Sequence, residues 1–191
     1  MVAYRYGARF AVVTQKGTPA YNRAMESARH DFGEAVSVDA EAIGQPGQRR
    51  FRLLVRSTGQ TASIWMEKQQ LQSIGEWLEE TVKKLDAESA DNAPDVEPTL
   101  FGAIFDVELQ VLQVALGLQE DGGLFVIQVF DDQSSVEEPA FYCRLSRGQC
   151  RVLSRKIAEV VAGGRAICPL CGRPIEAAGH VCPRSNGHGT H

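Results

Sequence analysis

The sequence predicts an α+β fold, two strand–strand–strand–helix repeats packed as one composite antiparallel-sheet domain. Three observations predict it. Short runs with two-residue apolar alternation lie on either side of residues 86–99. Each set of runs is followed by an apolar stripe at three- and four-residue spacing. A slide of 79 residues brings the two sets into one pattern, setting Met66 on Leu145, Leu71 on Cys150, Ile74 on Leu153, Leu78 on Ile157 and Val82 on Val161. One repeat alone would leave its sheet face and helix stripe half covered, and two together bury both.

The elements follow in order. Residues 35–40 alternate as a strand, and Gly44-Gln45-Pro46-Gly47-Gln48 is a turn. Residues 51–56 form a second strand, Ser57-Thr58-Gly59-Gln60 a hairpin turn, and residues 62–66 a third strand. Leu71, Ile74, Trp77, Leu78, Val82 and Leu85 share one helix face. Acidic residues early and lysines late in that helix suit its dipole. In the second half, residues 105–118 read as one alternating strand, Glu120-Asp121-Gly122-Gly123 as a turn, and residues 124–130 and 140–145 as two more strands. Ser146 opens the second helix, with Gln149 completing a capping box and Gly163-Gly164 ending it.

These elements divide the chain. Residues 1–33 are an N-terminal extension, with Met25 as an alternative start. Residues 34–85 and 100–164 are the repeats, 86–99 an acidic linker, and 165–191 a separate tail. The 191 residues contain no apolar run long enough to span a membrane, and the N-terminus has no continuous apolar stretch of the secretory kind. The net charge of −4 conceals an asymmetry: residues 144–191 carry +6 and the remainder −10. Either the basic end docks on the acidic body, or Arg147, Arg151 and Arg155, spaced by four, form a phosphate track for nucleic acid.

Five cysteines, an odd number with three in the last 24 residues, make a poor disulfide framework and point to a metal site in a reducing compartment. Cys168-Pro169-Leu170-Cys171-Gly172 brings two thiols to one ion, and His180-Val181-Cys182 follows at short spacing. Zinc takes four nitrogen or sulfur ligands in a tetrahedron. Cys168, Cys171 and Cys182 supply three, and the fourth is His180, with His188 as the alternative. A zinc knuckle thus completes the predicted fold. The tail is too short for a core of its own, so metal binding would supply its folding energy. A closed site of this kind leaves no position for activating water.

Other candidates have plainer readings. Cys143 and Cys150 suit core positions, His30 suits the surface, and Asp131 and Asp132 suit a turn. No phosphate-cradling glycine loop, nucleophile elbow or triad spacing occurs. The expected role is therefore a non-enzymatic zinc-binding module, a binding or adaptor protein with a protein partner and no membrane association. Two alternatives stand beside it. One is a nucleic-acid-binding accessory protein using the basic second helix and the knuckle. The other is a metalloenzyme with an open zinc position and Glu176 or His188 as general base.

Several motifs carry a family resemblance. They are Gly44-Gln45-Pro46-Gly47-Gln48-Arg49 before Phe51, Glu67-Lys68-Gln69-Gln70, Arg144-Leu145-Ser146, Cys168-Pro169-Leu170-Cys171-Gly172-Arg173-Pro174, and Gly179-His180-Val181-Cys182-Pro183-Arg184-Ser185-Asn186-Gly187. Over residues 34–188 the chain resembles the bacterial DUF3090 proteins, whose function is unknown. The resemblance implies a cytoplasmic bacterial protein with a metal-binding tail, and favours His180 as the fourth ligand. It implies no substrate and no reaction.

Overall fold

The computed structural model describes residues 10–12, 28–45, 48–88, 93–119, 123–135, 138–163, 170 and 182. Strands β1 (Phe10–Val12), β2 (His30–Glu34), β3 (Ser37–Ile43), β4 (Arg50–Arg56) and β5 (Thr61–Met66) precede helix α1 (Lys68–Glu88). Strands β6 (Val107–Gln110), β7 (Gln113–Leu118), β8 (Leu124–Phe130) and β9 (Phe141–Ser146) precede helix α2 (Arg147–Ala162). The α+β class holds.

The sheets are mixed, not antiparallel as expected. One has the order β1-β7-β8-β9-β2 and the other β3-β4-β5-β6. β3–β4–β5 and β7–β8–β9 are antiparallel meanders. The pairs β2/β9, β5/β6 and β1/β7 are parallel. Two of these parallel pairs arise because each βββα unit sends the strand before its meander to the other unit's sheet: β2 lies beside β9, and β6 beside β5.

Two expectations fail for this reason. The span 105–118 is not one strand. Val111 donates to Trp65 O (2.9 Å) in one sheet, and Leu112 donates to Phe130 O (2.9 Å) in the other, so the chain changes sheets between adjacent residues. The boundary at residue 33 also fails, because His30–Glu34 is a strand whose Phe32 is 3% exposed in the core and packs on Phe141 with centroids 4.8 Å apart. Its signal is weak, since Gly33 (φ 57°) breaks the alternation and the register slips between Asp31 and Glu34. The mirrored crossing follows. Ala35 donates to Arg144 O (2.9 Å) and Val36 to Arg56 O (2.8 Å).

The first turn of each helix carries a glutamine that serves these crossings. Ser146 caps α2 in the expected capping box, and Gln149 Oε1 accepts from Ser146 N (2.9 Å). In α1, Gln70 Oε1 accepts from Glu67 N at the same 2.9 Å. The other end of each amide reaches across the halves. Gln149 Nε2 donates to Ala35 O (2.8 Å), and Gln70 Nε2 donates to Leu112 O (3.2 Å). Each helix start therefore holds the other half's sheet crossing. The expected dipole pattern in α1 is absent, because the helix starts earlier and ends later than its stripe; neither end turn carries the predicted charges.

The core lies between the helices and the inner faces of the sheets, with Leu53, Ile64, Leu71, Ile74, Leu116, Ile127, Leu145 and Leu153 almost fully buried. Trp77 of α1 meets Phe125 of β8 edge-on at 5.8 Å, joining the halves. The helices cross closely at Gly75, where an added Cβ would lie 2.6 Å from Ile157 Cγ2.

Gln70 and Gln149 are 6% and 5% exposed, so removing either amide strands buried backbone groups. Gln149→Leu and Gln70→Leu are each expected to lower the unfolding free energy by about 1–3 kcal/mol in urea titrations. A neutral result for both would contradict the role of the amides.

Candidate functional site

On β4 the inward residues Phe51, Leu53 and Val55 belong to the core, which leaves Arg50, Arg52 and Arg56 on the opposite face of the four-stranded sheet. Arg52 pairs with Glu41, donates to Ser63 Oγ (3.2 Å), and lies 4.9 Å from the ring centroids of both Trp65 and Phe105. Arg56 donates to Thr99 Oγ1 (3.1 Å) and Leu100 O (2.6 Å), with Phe101 4.9 Å away. The loop from Thr99 to Phe105 thus lies on this face through guanidinium–aromatic contacts. Thr99 N donates to Ser37 Oγ (2.9 Å), which holds the start of that loop. Asp106, just after it, accepts from Thr61 N (2.7 Å) and Thr61 Oγ1 (2.9 Å), and these bonds hold its carboxyl below the usual range. So anchored, the loop turns Leu100 and Ile104 outward, at 95% and 89% exposure.

Arg50 is different. Its guanidinium lies 4.1 Å from the Trp65 centroid, at one end of the sheet. Beside it opens a shallow cleft of about 80 Å³, lined by Arg49, Arg50, Trp65, Met66, Glu67 and Gln110 among others. Arg49 reaches the far end of α2: a Cβ at Gly163 would stand 2.8 Å from Arg49 Nη1. Gly163 is the left-handed C-cap of that helix, and a cation suits the partial negative charge there. The arginine face was readable in principle from Arg50, Arg52 and Arg56 alternating with apolar neighbours. By itself that alternation places the strand and says nothing of what the arginines meet.

The row Arg147, Arg151 and Arg155 is occupied by this chain's own carboxylates. Arg147 pairs with Asp86 (3.5 Å), Arg151 with Asp86 (2.9 Å) and Asp95 (2.8 Å), and Arg155 with Asp95. Arg151 also donates to Ala93 O (2.9 Å). Residues 93–95 of the linker therefore pack on α2, so closely that a Cβ on Gly148 would lie 2.0 Å from Pro94 O. Hydrogen bonds from Arg151 and Arg155 hold the Asp95 carboxyl below its usual range. The docking reading of the charge asymmetry describes this helix face better than an open phosphate track does.

Of the predicted metal ligands, only Cys182 lies among the described residues, and it is partly buried. Cys168, Cys171, His180 and His188 lie outside them. Among the described residues no group of three or more His, Cys, Asp or Glu side chains could hold a metal ion. Cys143 and Cys150 are both fully buried, as expected of core thiols. Burial pushes both thiols well up; the charge of Asp31 adds to this at Cys143, and that of Cys143 at Cys150. His30 is half-buried in β2. Asp131 sits in a turn, as expected, accepting from Ser134 Oγ (2.8 Å) and Gln133 N (3.0 Å) and pairing with Arg29. Burial raises its carboxyl, but these partners outweigh it and hold the group below its usual range. No described helix is long and apolar enough to cross a membrane.

With the fold in view, one comparison decides the family. A family model matches residues 30–182, most of the chain. The chain belongs to the DUF3090 family. That family is described as a protein of unknown function. The match begins at β2, so the DUF3090 unit includes the exchanged strand. No curated protein and no solved structure matches the chain.

Two outcomes are expected of these contacts. A carboxyl whose pKa is depressed in the fold contributes stability above its unfolded value and loses it as pH falls through the folded one. Asp95→Asn is therefore expected to lower the urea midpoint at pH 7, with the gap closing below about pH 4. An equal gap at pH 7 and pH 2 would contradict the ion-pair account. With a chelator present, a maleimide is expected to modify none but Cys168, Cys171 and Cys182 in native protein. Labelling of Cys143 or Cys150 before global unfolding would contradict their placement.

Proposed function

We propose that this DUF3090 protein is a non-enzymatic zinc-binding module that acts as a binding or adaptor protein in the cytoplasm. Zinc is held by Cys168, Cys171, Cys182 and His180, with His188 as the alternative fourth ligand. The observation that carries this reading is the separation of the thiols. Cys143 and Cys150 are sealed in the core with their pKa values raised, which leaves the three C-terminal cysteines as the available thiolate donors. Three thiolates and an imidazole fit zinc in charge, softness and number.

Support for a binding role comes from the loop on the arginine face. Hydrogen bonds and ring contacts anchor it, yet Leu100 and Ile104 stand in solvent. Apolar side chains held outward on a well-anchored loop suit a protein partner. Nucleic-acid binding through α2 is the weaker reading, since Asp86 and Asp95 would compete with phosphate for Arg147, Arg151 and Arg155.

Elemental analysis of untagged protein, in wild type and in the His180→Ala and His188→Ala variants, tests the zinc assignment. About one zinc per chain is expected, weakened in His180→Ala alone. Loss in His188→Ala alone would transfer the fourth ligand. Absence of metal with the thiols intact and reduced would overturn the proposal.

A further inference from the structure

We propose that the outer face of the five-stranded sheet binds a small monocarboxylate, held by Arg144 and Gln128. The face follows from the register. Phe125, Ile127 and Val129 of β8 and Phe141, Cys143 and Leu145 of β9 belong to the core, so Val126, Gln128, Tyr142 and Arg144 lie on the opposite side of the sheet. Gln128 is level with Tyr142, and Val126 with Arg144, which puts Gln128 and Arg144 at diagonal positions on neighbouring strands. Residues so placed are about 7–8 Å apart, close enough for two long side chains to reach one small ligand.

Both side chains carry a buried donor with nothing to donate to. Gln128 is 7% exposed, and its Nε2 is shut off from solvent without a hydrogen-bond partner. Arg144 Nε is likewise shut off and unpaired. The Arg144 backbone is in use, since its O accepts from Ala35 N at the sheet crossing, but its guanidinium forms no ion pair among the described residues. In the Arg144-Leu145-Ser146 motif, Leu145 fills the core and Ser146 caps α2, and the Arg144 side chain has neither task. Buried donors are nearly always paired, because an unpaired one has given up water and gained nothing. Two of them on adjoining strands of one face call for a shared acceptor.

The neighbours decide what kind of acceptor fits. On β7, Ala115 is level with Gln128 and Gly117 with Val126, and neither has a side-chain group that could accept. On β2, Asp31 is level with Tyr142 and Glu34 with Arg144; both are exposed, and Asp31 Oδ1 accepts from Gly33 N (2.8 Å) instead. These two carboxylates repel a ligand of high negative charge, which disfavours a phosphate or a nucleic-acid strand. A monocarboxylate brings a single charge for the single guanidinium. Its two oxygens match one edge of that guanidinium, and their remaining lone pairs can accept from the Gln128 amide. Val126, between Gly117 and Arg144 and 1% exposed, gives the apolar body of such a ligand a surface to rest on.

The test titrates the full chain, after dialysis, with acetate, butyrate and benzoate at low ionic strength, following ligand-observed NMR and the thermal midpoint. At least one acid is expected to bind saturably and raise the midpoint. Its affinity is expected to fall about tenfold in Arg144→Gln and in Gln128→Met, and to be unchanged in Lys83→Gln, which removes a charge from an exposed position on α1. Gln128→Met also gives a readout that needs no ligand. Methionine has nearly the shape of glutamine and no donor, so this variant is expected to keep or raise the midpoint of the dialysed protein. A fall there would mean that the amide already has its partner within the fold, and would overturn the proposal. So would a lack of saturation with all three acids at millimolar concentrations, or binding as tight in Gln128→Met as in wild type. Inorganic phosphate binding as tightly as the best carboxylate would mark general anion attraction and overturn it too. Circular dichroism checks that each variant folds; should Arg144→Gln not fold, Gln128→Met alone carries the comparison.

Discussion

The fold depends on two buried amides that do the same job from opposite directions. Gln70 and Gln149 lie 79 residues apart, the spacing at which the halves superpose in sequence pattern. Each closes the start of its own helix and donates to a carbonyl where the other half's chain passes between sheets. Those crossings are where a strand ladder cannot satisfy every backbone group, since the chain turns from one set of partners to another. A buried carbonyl left unpaired there would cost more than an ordinary hydrogen bond returns. The glutamines settle that cost and tie helix position to sheet position, so the halves are held in one relative register.

Much of this was legible from residue patterns. The stripe from Leu71 to Leu85 marked α1, and Ser146 with Gln149 marked the start of α2 to the residue. Strands β4, β5, β8 and β9 followed from alternation because each has a clear inner face. The exchanged strands were not legible as such. β2 has one inward apolar residue, Phe32, and a glycine that breaks its period; β6 runs into β7 with the alternation nearly unbroken. Alternation shows that a segment pairs, but not with which strand. The capping box showed that Gln149 Oε1 is used. Its Nε2 partner, Ala35 O, is 114 residues away, and local pattern carries no information on it.

Charge was legible in amount but not in placement. The excess of arginine in the second half was evident, yet its partners Asp86 and Asp95 lie in a stretch whose composition suggested a free linker. Tethered carboxylates meet α2 at high effective concentration, and this favours pairing over a free polyanion. On β4 the opposite holds. There the arginines rest largely on rings, and a strand period cannot show which ring lies beneath which guanidinium. Trp65 and Phe105 are 40 residues apart in sequence and flank one side chain, Arg52. The arginine row is legible in the alternation of β4, but the rings that converge on it are not, whereas the cysteine cluster is legible because its residues are neighbours.

The exchanged strands also bear on how the chain is made. β2 leaves the ribosome early, but its neighbour β9 ends at Ser146, more than 100 residues later. Until then the His30–Glu34 segment has no ladder to join, and Phe32 has no Phe141 to pack against. The four-stranded sheet waits less, since β6 follows its partner β5 by one helix and one loop. Assembly during translation is therefore ordered: the sheet built on β4 and β5 closes first, and the earliest strand of the DUF3090 unit docks last. A nascent chain stalled before β9 would display that strand with both edges bare, a substrate for chaperones and an invitation to mispair with a second nascent copy.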